Sequence, residues 1–310
     1  MQKKGTKYNK SVKFMNGILV NGSVTNKTKT QDRHGKFYNS SIGFSGVIVA
    51  DGIGSMPFAE VAAEYFVENS IKYLENFKEK KVNISTMFKE LHYDFLEFIF
   101  KNQYEKQVED LENSLGTTFI VAIEYQDCFE IGYIGNGSIF HWRGNFFQFN
   151  EKVYHIPWTA FTNYLNPDSI VGNEGKETLI KFFSPNTNEI MITPTIVSIS
   201  KDNLEFGDIL MICTDGIFSF DQAICGVQTS SRPKYLENRW MPYSPQYSLI
   251  LDSFRAMFQS SQSIIGEREL QENLDKGLLF LKENKMLDDD ATAAIIFSNT
   301  FLQKINKKWL

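Results

Sequence analysis

The sequence is poor in cysteine. Its three, Cys128, Cys213 and Cys225, show no C-x-x-C spacing, and an odd number cannot pair off completely, so neither a thiolate metal site nor a disulfide framework is expected. Cys213 falls in the apolar run 209–213 and reads as a small core residue. A reducing compartment follows from this usage. Long apolar runs are missing too. No stretch approaches the ~18 residues of a membrane span, and the lysine-bearing N-terminus leads into no apolar segment of the secretory type. These absences favour the cytoplasm and no membrane contact. The third absence is excess positive charge: 32 Lys and Arg face 37 Asp and Glu, a formal net charge of −5. Phosphate backbones attract basic surfaces, so no nucleic-acid partner is expected. The lysines that do cluster, Lys3, Lys4, Lys7, Lys10 and Lys13, read as an exposed terminus.

What is present is ordinary globular material, 42% hydrophobic and 22% charged, enough to bury a core. Short apolar runs punctuated by Gly, Asp and Asn read as strands over 44–50, 117–125, 129–134, 139–143, 209–213 and 293–298. A further strand over 146–149 is expected after a tight turn at Gly144-Asn145. Helical stripes lie between them. Val61, Ala62, Tyr65 and Phe66 make one, and Phe88, Leu91, Phe95, Phe98 and Ile99 another. Leu251, Phe254 and Phe258 make a third, and Leu270, Leu274, Leu278 and Leu281 a fourth. Their plain meaning is packing against a sheet. Helices that come in pairs after runs of strands, without strict alternation, argue for an α+β layered domain. One domain is expected over 23–300, after an extension at 1–22 and before a tail at 301–310. Two polar, weakly periodic stretches, 154–200 and 222–244, read as insertions near the active face.

The acidic residues carry the chemical signal. Asp51 directly follows the run 44–50 and precedes Gly52. Asp215 follows the run 209–213 after one residue and precedes Gly216. Asp289 and Asp290 stand just before the last apolar run, and Asp32 lies ahead of the first strong one. A lone Asp-Gly is usually a turn. Several carboxylates at strand ends, where a rigid scaffold can aim them, suit hard divalent cations, which take oxygen ligands and can sit in pairs about 3.5–4 Å apart.

In chain order these segments resemble the metal-dependent protein serine/threonine phosphatases of type 2C, in particular bacterial-like members. VADGIGSMPFAEVAAEYF is similar to the family's Asp-Gly-x-Gly-Gly segment and following helix, and SLGTTFIVAIE to its Gly-Thr-Thr strand. IGYIGNGSIF resembles the Gly-Asp-Ser-Arg turn, LEFGDILMICTDGIF the Gly-Asp … Asp-Gly strand, DDATAAII the closing strand and TQD the N-terminal acidic element. The resemblance implies a four-layer αββα sandwich, two antiparallel sheets face to face and flanked by helix pairs, with the site at one end. It implies two ions, Mg²⁺ or Mn²⁺. Asp51 would bridge them, the Gly52 carbonyl would bind one, and Asp215 and Asp289 would complete the other's shell. Gln31 and Asp32 would hold metal-bound water in the first or second shell, with Asn136 and Asp290 in the second. The implied reaction is in-line hydrolysis of phosphoserine or phosphothreonine in a phosphorylated protein, by a water that the two ions share. A bacterial regulatory protein or a partner kinase would be the natural substrate to expect, which would place the chain in signalling.

Three departures accompany the resemblance. Asn136 stands where many members carry an Asp, so a third ion should be weak or absent. The family's phosphate-binding Arg is matched by Lys27, with Lys29 the competing lysine; either would act as a point charge and not a bidentate fork. Ile53 takes the place of a His acid found in eukaryotic members, and the nearby His34 reads as a solvated loop residue. Two alternatives stay open: a catalytically weak or inactive regulatory module on the same fold, and a metal-dependent nuclease, which the charge disfavours.

Overall fold

A computed structural model of the chain describes residues 17–108, 110–111, 113–145, 150–156, 181–201, 207–217, 245–261, 264–287 and 289–306. Among the described residues, ten strands form two five-stranded sheets. The first runs β1 (Ile18–Val24), β10 (Ala291–Phe297), β9 (Asp208–Cys213), β6 (Ser138–Asn145), β7 (Asn150–Ile156). The second runs β2 (Arg33–Asn39), β3 (Phe44–Ala50), β4 (Phe119–Glu124), β5 (Cys128–Ile134), β8 (Thr195–Ser200). Every neighbouring pair is antiparallel.

Side chains alternate across each strand, and in the central strands both faces are buried, which is why those read as unbroken apolar runs. In β9 and β10, Leu210, Ile212, Ala294 and Ile296 point into the space between the sheets. There they meet Val47, Val49, Ile120 and Ala122 of the other sheet. The alternate residues face outward onto helices. Ile209, Met211, Ala293 and Ile295 pack with Phe254 and Phe258 of α3 (Pro245–Ser260) and with Leu270, Leu274 and Leu278 of α4 (Glu267–Glu283). Ile48, Ala50, Phe119 and Val121 pack with Phe66 of α1 (Ala59–Asn76) and with Phe88, Leu91 and Phe95 of α2 (Ile84–Lys101). Helix pair, sheet, sheet, helix pair is the expected four-layer αββα sandwich. The second helix starts where Asn83 caps it, its side chain accepting from the Thr86 N–H at 3.1 Å. Among the described residues no helix is long and apolar enough to cross a membrane.

The structure departs from the sequence reading in places. Gly144 and Asn145 are not a turn: they extend β6 and pair with Glu151 and Asn150. The strand expected over 146–149 lies outside the described residues. The polar stretch 154–200 contains the end of β7 and the whole of β8, while 157–180 and 222–244 lie outside the described residues. The expected extension over 1–22 overlaps β1, which pairs with β10 along its length. The expected tail over 301–310 overlaps α5 (Asn299–Asn306), whose Phe301, Leu302 and Ile305 are buried in the core beside α3 and α4.

Candidate metal centre

Antiparallel order gathers one set of strand ends. β3 and β9 finish where β2, β4, β6 and β10 begin, so Asp51, Asp215, Asp32, Thr118 and the pair Asp289-Asp290 emerge at the same end of the two sheets. The β5–β6 turn adds Asn136 there. A cleft of about 140 Å³ opens at this end, lined by Gln31, Asp51, Gly52, Ile53, Asn136, Asp215, Asp289 and Asp290, with Thr118 and Gly54.

The backbone around each carboxylate is tied down. The Asp51 N–H donates to Thr118 Oγ1 at 3.1 Å, and the Asp51 carbonyl accepts from the Thr118 N–H at 2.8 Å and the Thr117 hydroxyl at 2.9 Å. Gly216 lets the Asp215 turn lie against the Asp290 turn. A Cβ at Gly216 would fall 2.0 Å from the Asp290 carbonyl oxygen, so no other residue fits without moving a ligand loop. Thr214 bonds both ways: its hydroxyl donates to Asp32 Oδ2 at 2.9 Å and accepts from the Thr292 N–H at 3.0 Å. The loop 25–32 is stitched to the loop before β10. Thr25 donates to Asp290 Oδ1, the Gln31 N–H donates to Asp290 Oδ2 at 2.8 Å, and Asn26 Nδ2 donates to the Leu287 carbonyl at 3.1 Å.

The carboxylates repel one another in a dry place. Burial first, and then the nearby Asp215 charge, pushes Asp32 up to about 7. Asp51 is held well above the usual range by burial and by the charges of Asp32 and Asp215. Asp215 rises to about 6 through burial and the Asp289 charge, against a 2.9 Å hydrogen bond from Asn136 Nδ2 to its Oδ2. Asp32 Oδ1 and Asp215 Oδ1 are buried without any hydrogen-bond partner. A buried carboxylate oxygen left bare is costly unless something positive meets it. The donor set is all oxygen and anionic, which fits a hard divalent cation. Among the described residues no three acidic, histidine or cysteine side chains form a ready-made cage.

A family model for protein phosphatase 2C matches residues 22–278. The chain belongs to the protein phosphatase 2C family. Membership places it among the protein serine/threonine phosphatases. The fold of this phosphatase 2C family member is shared with solved bacterial structures. The serine/threonine phosphatase Stp1 from Staphylococcus aureus matches over 90% of this chain and 94% of its own, with 14% identity and a TM-score of 0.57. The S. agalactiae serine/threonine phosphatase matches over 90% and 99%, with 15% identity and a TM-score of 0.51. The catalytic domain of the serine threonine protein phosphatase PstP, solved in complex with two manganese ions, matches over 91% and 98%, with 12% identity and a TM-score of 0.51. Comparison with curated proteins gives no match.

In this phosphatase 2C family member the aspartates expected from sequence converge, with Gln31, Gly52 and Asn136 beside them. Asp32 sits deepest, at 1% exposure, bonded to Thr214. Asp290 is buried and spent on Thr25 and Gln31, whereas the Asp289 side chain is 57% exposed. Lys27 reaches the rim and bonds Asp289 at 2.8 Å. Lys29 turns away to Glu60, at 2.9 Å. His34 is no solvated loop residue: it lies in β2, and burial first, then Arg33, holds its pKa down. The sequence reading missed the threonines. Thr117 and Thr118 hold the Asp51 backbone and Thr214 holds the Asp32 carboxylate, and the available signal was their place inside the Gly-Thr-Thr and Thr-Asp-Gly segments.

Proposed function

We propose that this chain is a metal-dependent phosphoprotein phosphatase that hydrolyses phosphoserine and phosphothreonine at the Asp51–Asp215–Asp289 cleft. The observation that carries the reading is the convergence of Asp32, Asp51, Asp215 and Asp289 on one sheet end, with two buried carboxylate oxygens unpartnered. Asp51, Asp215, Asp289 and the Gly52 carbonyl would hold two Mg²⁺ or Mn²⁺ ions, with Gln31 and Asp32 behind them. Ions held there supply Lewis acidity toward phosphoryl oxygens and make water nucleophilic near neutral pH.

The protein groups have separate tasks. Thr118 and Thr117 fix the turn that presents Asp51 and Gly52. Asn136 engages Asp215 Oδ2 and leaves Oδ1 available. As a neutral amide it is a poor third-ion ligand. Lys27 offers a phosphoryl group a point charge at the rim. Ile53 can donate no proton, so the seryl or threonyl leaving oxygen takes its proton from water. A phosphorylated regulatory protein or kinase fits as substrate.

One observation favours a second reading, a catalytically weak regulatory module: Lys27 and Asn136 already occupy oxygens of Asp289 and Asp215. Release of phosphate from a phosphothreonine peptide separates the two. The phosphatase reading expects hydrolysis that requires Mn²⁺ or Mg²⁺ and stops with chelator. Undiminished hydrolysis in metal-free buffer, or none with saturating Mn²⁺, contradicts it.

A further inference from the structure

Lys27 is delivered to the cleft by a loop anchored on both sides. Thr25 is bonded to Asp290, Asn26 to the Leu287 carbonyl, and the Gln31 N–H to Asp290. The Lys27 N–H also closes a local turn on Thr25 Oγ1 at 2.9 Å. Its ammonium then lies 2.8 Å from Asp289 Oδ1 and 3.9 Å from Asp290 Oδ1. Asp290 already accepts two other hydrogen bonds and is buried, so Asp289 is the carboxylate the ammonium serves. Lys27 and Asp289 are 50% and 57% exposed, so the pair is weak enough to exchange with a better partner. Lys29, two residues on, is engaged by Glu60 on α1 and bears no such relation to the cleft.

We propose that Lys27 is a resident counter-ion that competes with a divalent cation for Asp289, making cation entry on that side of the cleft and release of Lys27 a single exchange. This rests on the metal-site reading above. Asp289 Oδ1 also accepts the Asp290 N–H at 2.8 Å, so while the ammonium holds it too that oxygen has little left to offer a divalent ion. A phosphoryl group arriving at the rim gives the displaced ammonium a new partner. Phosphate and the Asp289-side cation therefore reinforce each other, and such coupling is reciprocal. Lys27 is thus a positioning residue whose effect lies in cation affinity as well as in substrate charge.

The test is Mn²⁺ titration calorimetry on the full chain, with and without inorganic phosphate, for wild type, Lys27→Met, Lys27→Arg and Lys29→Met. The expectation without phosphate is that Lys27→Met tightens the weaker Mn²⁺ step by about 3- to 10-fold, the scale of removing one screened charge beside a divalent ion. Lys27→Arg should stay near wild type, and Lys29→Met should change affinity less than about 2-fold. Phosphate should tighten Mn²⁺ binding less in Lys27→Met than in wild type. Equal affinities for wild type and Lys27→Met, or equal tightening by Lys27→Met and Lys29→Met, would overturn the exchange while leaving the metal site standing. Absence of any Mn²⁺ binding in all four proteins would overturn both.

Discussion

Asp51→Asn is expected to lose metal-dependent turnover and gain metal-free stability. The carboxylate is half-buried at the cleft beside Asp32, Asp215 and Asp289, and desolvation and those charges hold it well above its ordinary pKa of 3.8. In the apo protein it is therefore a liability: folding at neutral pH must either bury its charge or take up a proton. An amide of the same shape removes that cost. The gain should appear as added stability in metal-free buffer, because the raised pKa of Asp51 marks a charge that the fold disfavours. In a chain of this size that raises the melting temperature by about 2–4 °C for each kcal/mol. The same change would remove an anionic oxygen that the proposed ions would need. Residues that merely support a metal ligand cost about 10–100-fold when mutated, so loss of turnover beyond about 100-fold is expected. Calorimetric unfolding in chelator and phosphopeptide hydrolysis in Mn²⁺ check the two halves. An Asp51→Asn protein that is less stable without metal would contradict the electrostatic account of the cleft.

The second large effect is on stability against pH. Unfolded, Asp32 and Asp215 titrate near 3.8; folded, they rise to about 7 and about 6. Between those limits the folded state holds protons that the unfolded chain has released. Their contribution is therefore complete below about pH 4 and is lost as pH climbs through 6 and 7. His34 and His92, with pKa values lowered by burial, act in the opposite sense below pH 6.5. Comparison of wild type with Asp32→Asn cancels the histidines. Metal-free wild type should lose stability relative to Asp32→Asn between pH 5.5 and 8, by on the order of a few kcal/mol. With Mn²⁺ the trend should reverse, because metal binding displaces protons and strengthens as pH rises. Parallel melting curves for the two proteins across that range would refute the assignment of the strained carboxylates.

The sandwich was legible where both faces of a strand are buried. The runs 209–213 and 293–297 are apolar at every position because one face meets helices and the other meets the opposite sheet. β2, with the sequence RHGKFYN, was not legible. Its Gly35 faces α1, and a Cβ there would fall 2.6 Å from Ile71 Cδ1. The strand gives up an apolar signal so that the helix can approach. β8 is an edge strand of alternating exposure inside a polar stretch, and little marks it in one dimension. Asp51, Asp215 and the pair Asp289-Asp290 were legible because they stand beside Gly or next to an apolar run, whereas Asp32, between Gln31 and Arg33, was marked only by the resemblance of its TQD segment. Their partners were not, since Lys27 and Asp289 lie 262 residues apart and only the fold joins them. The resemblance to a known family, and not spacing alone, supplied the convergence that sequence separation cannot prove.

The most direct measurement is anomalous diffraction from a crystal soaked in Mn²⁺. Two manganese peaks about 3.5–4 Å apart, both within bonding distance of the Asp51 carboxylate and one reaching Asp215, are the predicted result. Manganese bound only at other carboxylates, with the Asp51 and Asp215 side chains still bare, would contradict the account.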